Sequence, residues 1–248
     1  MEATISPMIE KFCEFKGLEA APFKLQWYNE AVKNEKFRLT FAPDDTLCYV
    51  IISQPSMFEK SFLPFVKENW LDILNNAIHD PQDQCMQKVF EDLIESLQNF
   101  DHEIEKFHDF ELHPNRRPKA LMQTAGHVSG AVRFYQETDV ESSLIQEEKS
   151  KLFPVCMHPD FGGWMALRGI LIFPNICVPH LKKRLPPELI ESQEEILQLL
   201  KLYNHHWRDN RFRDCVQNIK ERYSKIQQDY FAQKPGPQRI EYLSKLIL

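Results

Sequence analysis

Residues 46–53 read TLCYVIIS, a β-branched run without a polar break, which predicts a strand buried on both faces. Elsewhere apolar residues recur at helical spacing. Ser6 and Pro7 read as N-cap and first position of a helix carrying Ile9, Phe12 and Phe15, stopped by Gly17. Residues 55–69 carry Phe58, Phe62, Phe65 and Val66, and residues 83–97 put Met86, Val89, Phe90, Leu93, Ile94 and Leu97 on one helical face. Residues 104–112 alternate loosely, as a strand does. The best-marked helix is expected over 118–135. Leu121, Ala125, Val128 and Val132 form its stripe, and Gly126 and Gly130 leave room for another backbone or a flat ligand. Residues 137–153 are acidic and unpatterned, and read as a mobile surface loop. A further strand is expected over 164–173, ended by Pro174. From residue 188 onward the chain reads as helical pieces, broken at Pro235, Gly236 and Pro237. With no repeat and no strong linker, the pattern predicts one three-layer α+β domain.

Composition narrows the functional classes. Thirty Lys+Arg against thirty-six Asp+Glu give a net charge of -6, which argues against a broad basic surface for nucleic acid. Arg168 interrupts the longest apolar run, so no membrane span is expected. The first residues, MEATISPMIEKF, lack the charge and apolar core of a secretory signal. None of the seven glycines has G-x-G spacing, which removes the dinucleotide fingerprint, and no phosphate-loop or nucleophile-elbow motif is present. The six cysteines form no C-x-x-C pair and read as reduced thiols of a cytosolic protein. His102 and Glu103 begin like a zinc-protease motif, but Lys106 stands where the second histidine belongs.

Three clusters could carry chemistry: residues 113–136, with Arg116, Arg117, Gln123, His127 and Tyr135; residues 155–164, with Cys156, His158, Gly162 and Gly163; and residues 205–214, with Arg208, Arg211 and Arg213. Each has a plain reading. Arg116 and Arg117 suit a solvated helix start, His158 before Pro159 a turn, Cys156 a core thiol, and the later arginines pairs with Asp209 and Asp214. Singly, none is specific.

In order, however, the strings HPNRRPK-x-x-x-QTA-x-HV-x-GA, C-x-HP-x-FGGW-x-A-x-RG and HWRD-x-x-x-RD closely resemble the CblC family, also called the MMACHC family. The resemblance begins at Pro22 and Phe23, continues through Trp27 to Glu30 and Asp83 to Cys85, and extends past Glu221, Arg222 and Tyr223 to Gln238 and Arg239. It implies a nitroreductase-like flavoprotein fold, a single domain over 1–248 whose helical portion 186–248 closes the cleft, and a cytoplasmic location. It also implies processing of vitamin B12. Alkylcobalamins would be dealkylated by transfer to glutathione, and cyanocobalamin decyanated with reduced FMN or FAD and NADPH as electron source. Implied partners are a CblD-type adaptor protein (MMADHC) and methionine synthase, with the chain a monomer or a weak ligand-promoted homodimer. A non-catalytic chaperone of base-off cobalamin and a generic flavin reductase are the alternatives.

By position in the matching motifs, Arg168, Arg213 and Arg239 are the implied glutathione-binding arginines, which suits a ligand with two carboxylates. The implied cobalamin contacts are Asp109, Ala120, Leu121, Met122, Gln123, His127, Phe134, Tyr135, Gln136, Cys156 and Leu167. No D-x-H-x-x-G motif is present, so no protein ligand to cobalt is expected. Departures from the family pattern include Phe134 where vertebrate members carry tyrosine, Met122 in place of a small residue, Ala120 in place of a larger one, and the acidic 137–153 loop, which differs from the family version.

Overall fold

The structure, a computed structural model, describes residues 2–98, 103–145 and 150–247. His102, from the zinc-protease reading, and part of the acidic 137–153 segment lie outside the described residues. The strands are β1 (Leu18–Lys24), β2 (Thr46–Ser53), β3 (Glu105–His108), β4 (Arg133–Tyr135), β5 (Val155–Met157) and β6 (Ala166–Cys177). Four form a sheet in the order β1-β2-β6-β3, and β4 and β5 form a separate antiparallel ribbon. Together with the helices of the chain, these strands make the class mixed α and β. Every residue of β2 is buried, as its unbroken apolar run requires. β3 runs antiparallel to β6, with Glu105 opposite Ile172 and His108 opposite Gly169.

Several expected boundaries move, and the strand expected over 104–112 is only Glu105–His108. β6 continues through Pro174 to Cys177. Its pairing with β3 covers only 169–172, so the missing proline N–H falls outside that ladder. The helix expected over 118–135 is only Met122–Val128, followed by β4. Gly130 adopts φ +75°, and the Gly126 carbonyl accepts both the Ser129 hydroxyl at 2.8 Å and the Val132 amide at 3.3 Å. The space beside Gly126 and Gly130 is not open to a flat ligand. A methyl at Gly126 would meet Val132 Cγ2 at 2.8 Å, and one at Gly130 would meet Arg184 Cβ at 2.6 Å. The first helix runs over Glu2–Lys16, so Pro7 lies inside it rather than opening it.

The described residues pack as two compact units, 1–20 with 53–102 and 223–248, and 21–52 with 103–222. In the first, the helix Pro81–Ser96 buries Met86, Val89, Phe90 and Leu93, with the Asp80 carboxylate capping its first turn. Phe58, Phe62 and Tyr230 pack there with ring centroids 5.0–5.5 Å apart. In the second, Phe23, Val50, Ile52, Ile170 and Ile172 belong to one core cluster. A second cluster lies under the helix Gln193–His206 and joins Leu199 and Leu200 to Tyr135, Met157 and Phe212.

The described residues of the acidic segment carry side-chain to backbone hydrogen bonds that composition alone does not predict. Asp139 accepts the Gln136 amide at 2.7 Å, and Glu137 accepts the Leu152 amide at 2.6 Å. Gln193 Oε1 accepts the Glu141 amide and Asn204 Oδ1 the Phe153 amide, each at 2.8 Å. Residues 137–139 form a 3-10 turn and Ser142–Ile145 a short helix.

Candidate functional site

In the second unit, the extended segment before Met122 and the first turn of its helix form a wall of a cleft of about 480 Å³. Leu121 holds the entry to this helix, its amide donating to the Tyr28 hydroxyl at 2.9 Å. Ala120, Leu121, Met122 and Gln123 line the cleft from this segment, with Asp109 from beyond β3, Cys156 from β5 and Leu167 from β6. Leu121, Met122 and Leu167 give it an aliphatic surface, and the exposed Gln123 gives it an amide. Gly163, Met165, Tyr203, Phe212 and Arg213 also line it.

Burial pushes the Cys156 thiol well above its ordinary pKa. A neutral buried thiol is a poor nucleophile and a poor metal ligand. N-ethylmaleimide at neutral pH should therefore label exposed Cys177 well before Cys156, as adduct mapping by mass spectrometry would read. Prompt labelling of Cys156 in the folded protein would contradict this.

Arg213 is held from several sides. Its Nε donates to Asn210 Oδ1 at 3.0 Å and its Nη1 to the Gly163 carbonyl. Its Cζ lies 4.9 Å from the Phe212 ring centroid and 5.4 Å from that of Trp164. The Gly163 amide donates back to the Arg213 carbonyl at 2.9 Å. Only glycine permits this approach at residue 162, where φ is +54° and a methyl would stand 2.3 Å from the Arg213 carbonyl oxygen. His158 shapes the same turn. Its Nδ1 accepts the Asp160 amide at 3.0 Å, and the ring stacks on Phe161 at 4.6 Å.

The remaining expected residues take other places. Arg168 is buried beside the cleft, its Nη1 3.7 Å from Asp109 Oδ2, so an expected glutathione arginine meets an expected cobalamin contact. Phe134 packs against the sheet core, and its amide donates to His127 Nδ1 at 3.4 Å. Burial, then Arg133, lower the His127 pKa, so the ring is neutral at pH 7. The Tyr135 hydroxyl accepts the Leu189 and Ile190 amides at 3.2 and 3.0 Å. Gln136 caps the turn at 137–139. Arg117, from the basic turn, lies over the Phe37 ring at 5.5 Å. Arg239 belongs to the first unit, where its Cζ lies 5.0 Å from the Tyr230 ring and 5.4 Å from that of Phe231.

Among cleft residues that sequence reasoning missed, Tyr203 is a lone aromatic on a helix and carries no distinguishing signal. Gly163 and Phe212 lie within the clusters singled out, without an assigned role. A second cavity, of about 340 Å³, shares Tyr203, Phe212 and Arg213 and adds Phe153, Asn204 and Trp207. Among the described residues, no group of three or more His, Cys, Asp or Glu side chains could hold a metal ion. No helix among them is long and apolar enough to cross a membrane.

Residues 17–243 match the model of the methylmalonic aciduria and homocystinuria type C family. A Gallus gallus protein named cyanocobalamin reductase / alkylcobalamin dealkylase is 43% identical over 220 residues, covering 89% of this chain and 88% of the relative. A Homo sapiens protein of the same name is 39% identical over 247 residues, covering 98% and 83%. A crystal structure described as the B12-trafficking protein CblC of Caenorhabditis elegans superposes with a TM-score of 0.88 at 30% identity, covering 97% of this chain and 94% of that one.

Proposed function

The chain belongs to the methylmalonic aciduria and homocystinuria type C family, and we propose on that footing that it processes vitamin B12 as an alkylcobalamin dealkylase and cyanocobalamin reductase. The observation carrying this reading is the gathering of Asp109, Ala120 to Gln123, Cys156 and Leu167, from separate chain segments, around one cleft with Arg213 in its lining. The proposal includes a nitroreductase-like single domain over 1–248 and a cytoplasmic location. It also includes a CblD-type adaptor and methionine synthase as recipients.

In dealkylation, the glutathione sulfur supplies the electron pair of a new C–S bond to the cobalt-bound carbon. The Co–C bond breaks with its pair on cobalt, giving cob(I)alamin and a thioether. The chain's part is to bind and orient. Leu121, Met122 and Leu167 offer aliphatic surface to the corrin or its detached tail, and Gln123 an amide to the corrin's amide edges. Arg213 offers a planar cation to a glutathione carboxylate. Cys156, held as a neutral thiol, does not compete as nucleophile. Arg168 is held by Asp109, so a carboxylate reaching Arg168 must share or displace that pair.

Reduced flavin, when bound, supplies the electrons for decyanation. The space beside Gly126 and Gly130, which could have received a flat ring, is filled by Val132 and Arg184.

Cobalamin is expected to bind base-off. The sequence has no D-x-H-x-x-G motif to supply a histidine to cobalt, and Leu121, Met122 and Leu167 suit the detached tail. Adding protein to methylcobalamin should shift its visible spectrum to that of the five-coordinate form. A base-on spectrum at saturating protein would contradict this.

A further inference from the structure

Asp214 lies next to Arg213 in the turn Arg211–Asp214, but its carboxylate is engaged elsewhere. Its Oδ1 accepts the Trp164 indole N–H at 2.7 Å and the Arg222 Nε–H at 2.9 Å. Trp164 is only 4% exposed, and a buried indole N–H left without an acceptor is costly. The same indole lies beneath the Arg213 guanidinium, 5.4 Å from its Cζ. Gly163, the residue before Trp164, exchanges hydrogen bonds with Arg213 in both directions. Arg213 is thus presented to the cleft on a platform, the Gly163 backbone and the Trp164 ring, and Asp214 sets the ring's orientation. Arg222 has a second effect, since its charge offsets that of Asp214 and limits repulsion of an anion approaching Arg213.

We infer that Asp214 is a positioning residue, which through Trp164 fixes the direction of the Arg213 guanidinium and so sets affinity for the carboxylate-bearing thiol. The inference rests on the proposed dealkylation. It separates two roles that a purely structural residue would not separate: affinity for glutathione depends on Asp214, and affinity for cobalamin does not.

Three variants dissect the link. Asp214→Ala removes the acceptor, Trp164→Phe keeps a ring but removes the N–H, and Asp214→Asn keeps an acceptor oxygen without the charge. Each is assayed anaerobically with methylcobalamin across glutathione concentrations, with cobalamin affinity titrated separately. Asp214→Ala and Trp164→Phe should raise the glutathione KM roughly tenfold, the loss expected of one hydrogen bond. Their kcat at saturating glutathione and their cobalamin affinity should stay near wild type, and Asp214→Asn should recover most of the lost KM. A wild-type KM in Asp214→Ala, or equal losses of cobalamin and glutathione affinity, would overturn the inference while leaving the functional reading in place. Asp214→Asn as impaired as Asp214→Ala would overturn it too. Wild-type protein whose rate does not respond to glutathione would overturn the reading, and the inference with it.

Discussion

Gly162→Ala is expected to lower the melting temperature by roughly 5–10 °C, combining backbone strain of about 1–3 kcal/mol with a steric clash. Residue 162 has φ +54°, where an L side chain is strained. The added methyl would also stand 2.3 Å from the Arg213 carbonyl oxygen and 2.9 Å from Ile219 Cδ1. The carbonyl belongs to the turn that carries Arg213, so relief of the clash must move that turn. Gly236 provides the control. Its φ is +90°, but nothing lies within 4 Å of the position a methyl would take. Gly236→Ala should therefore show only the conformational part of the effect. Thermal unfolding followed by circular dichroism compares the two, and equal melting temperatures would mean that close approach is not why residue 162 is glycine.

Arg213→Ala should raise the glutathione concentration needed for half-maximal dealkylation by roughly tenfold to a hundredfold. This corresponds to a charge-assisted hydrogen bond worth about 1.5–3 kcal/mol. Arg213→Lys should recover little of it. Lysine keeps the charge but loses the planar fork, which donates to Asn210 and Gly163 and lies over the Trp164 and Phe212 rings. Cobalamin affinity, read from the spectral shift of methylcobalamin, should change far less, because the cleft also carries aliphatic surface from Leu121, Met122 and Leu167. Parallel loss of cobalamin binding and dealkylation in Arg213→Lys would assign the residue to the fold instead.

How far the sequence could be read differs by element. β2 was legible because an unbroken run of apolar residues has few other solutions, and every residue of it is buried. Periodicity overextends the helix at 122–128 because it records which residues face a core, while the reversal depends on the φ of Gly130. Proline at 174 signals a strand end in the sequence, whereas the strand tolerates it beyond the span paired with β3. The cleft residues were legible through their resemblance to family motifs, since Asp109, Gln123, Cys156 and Leu167 share no local pattern. Tyr203 gave no signal. Neither the Asp109–Arg168 pair nor the Trp164–Asp214 hydrogen bond could be read, because each joins residues at least fifty positions apart and neither partner is unusual alone.

The central claim is that this chain moves the alkyl group of an alkylcobalamin to glutathione. The most direct measurement mixes stoichiometric protein and methylcobalamin anaerobically with glutathione, follows cobalt by visible absorbance, and analyses the products by mass spectrometry. The account predicts loss of methylcobalamin, appearance of cob(I)alamin, and S-methylglutathione in equal amount, each dependent on both protein and thiol. Methylcobalamin that persists with protein and glutathione together, or that decays without forming the thioether, would contradict it.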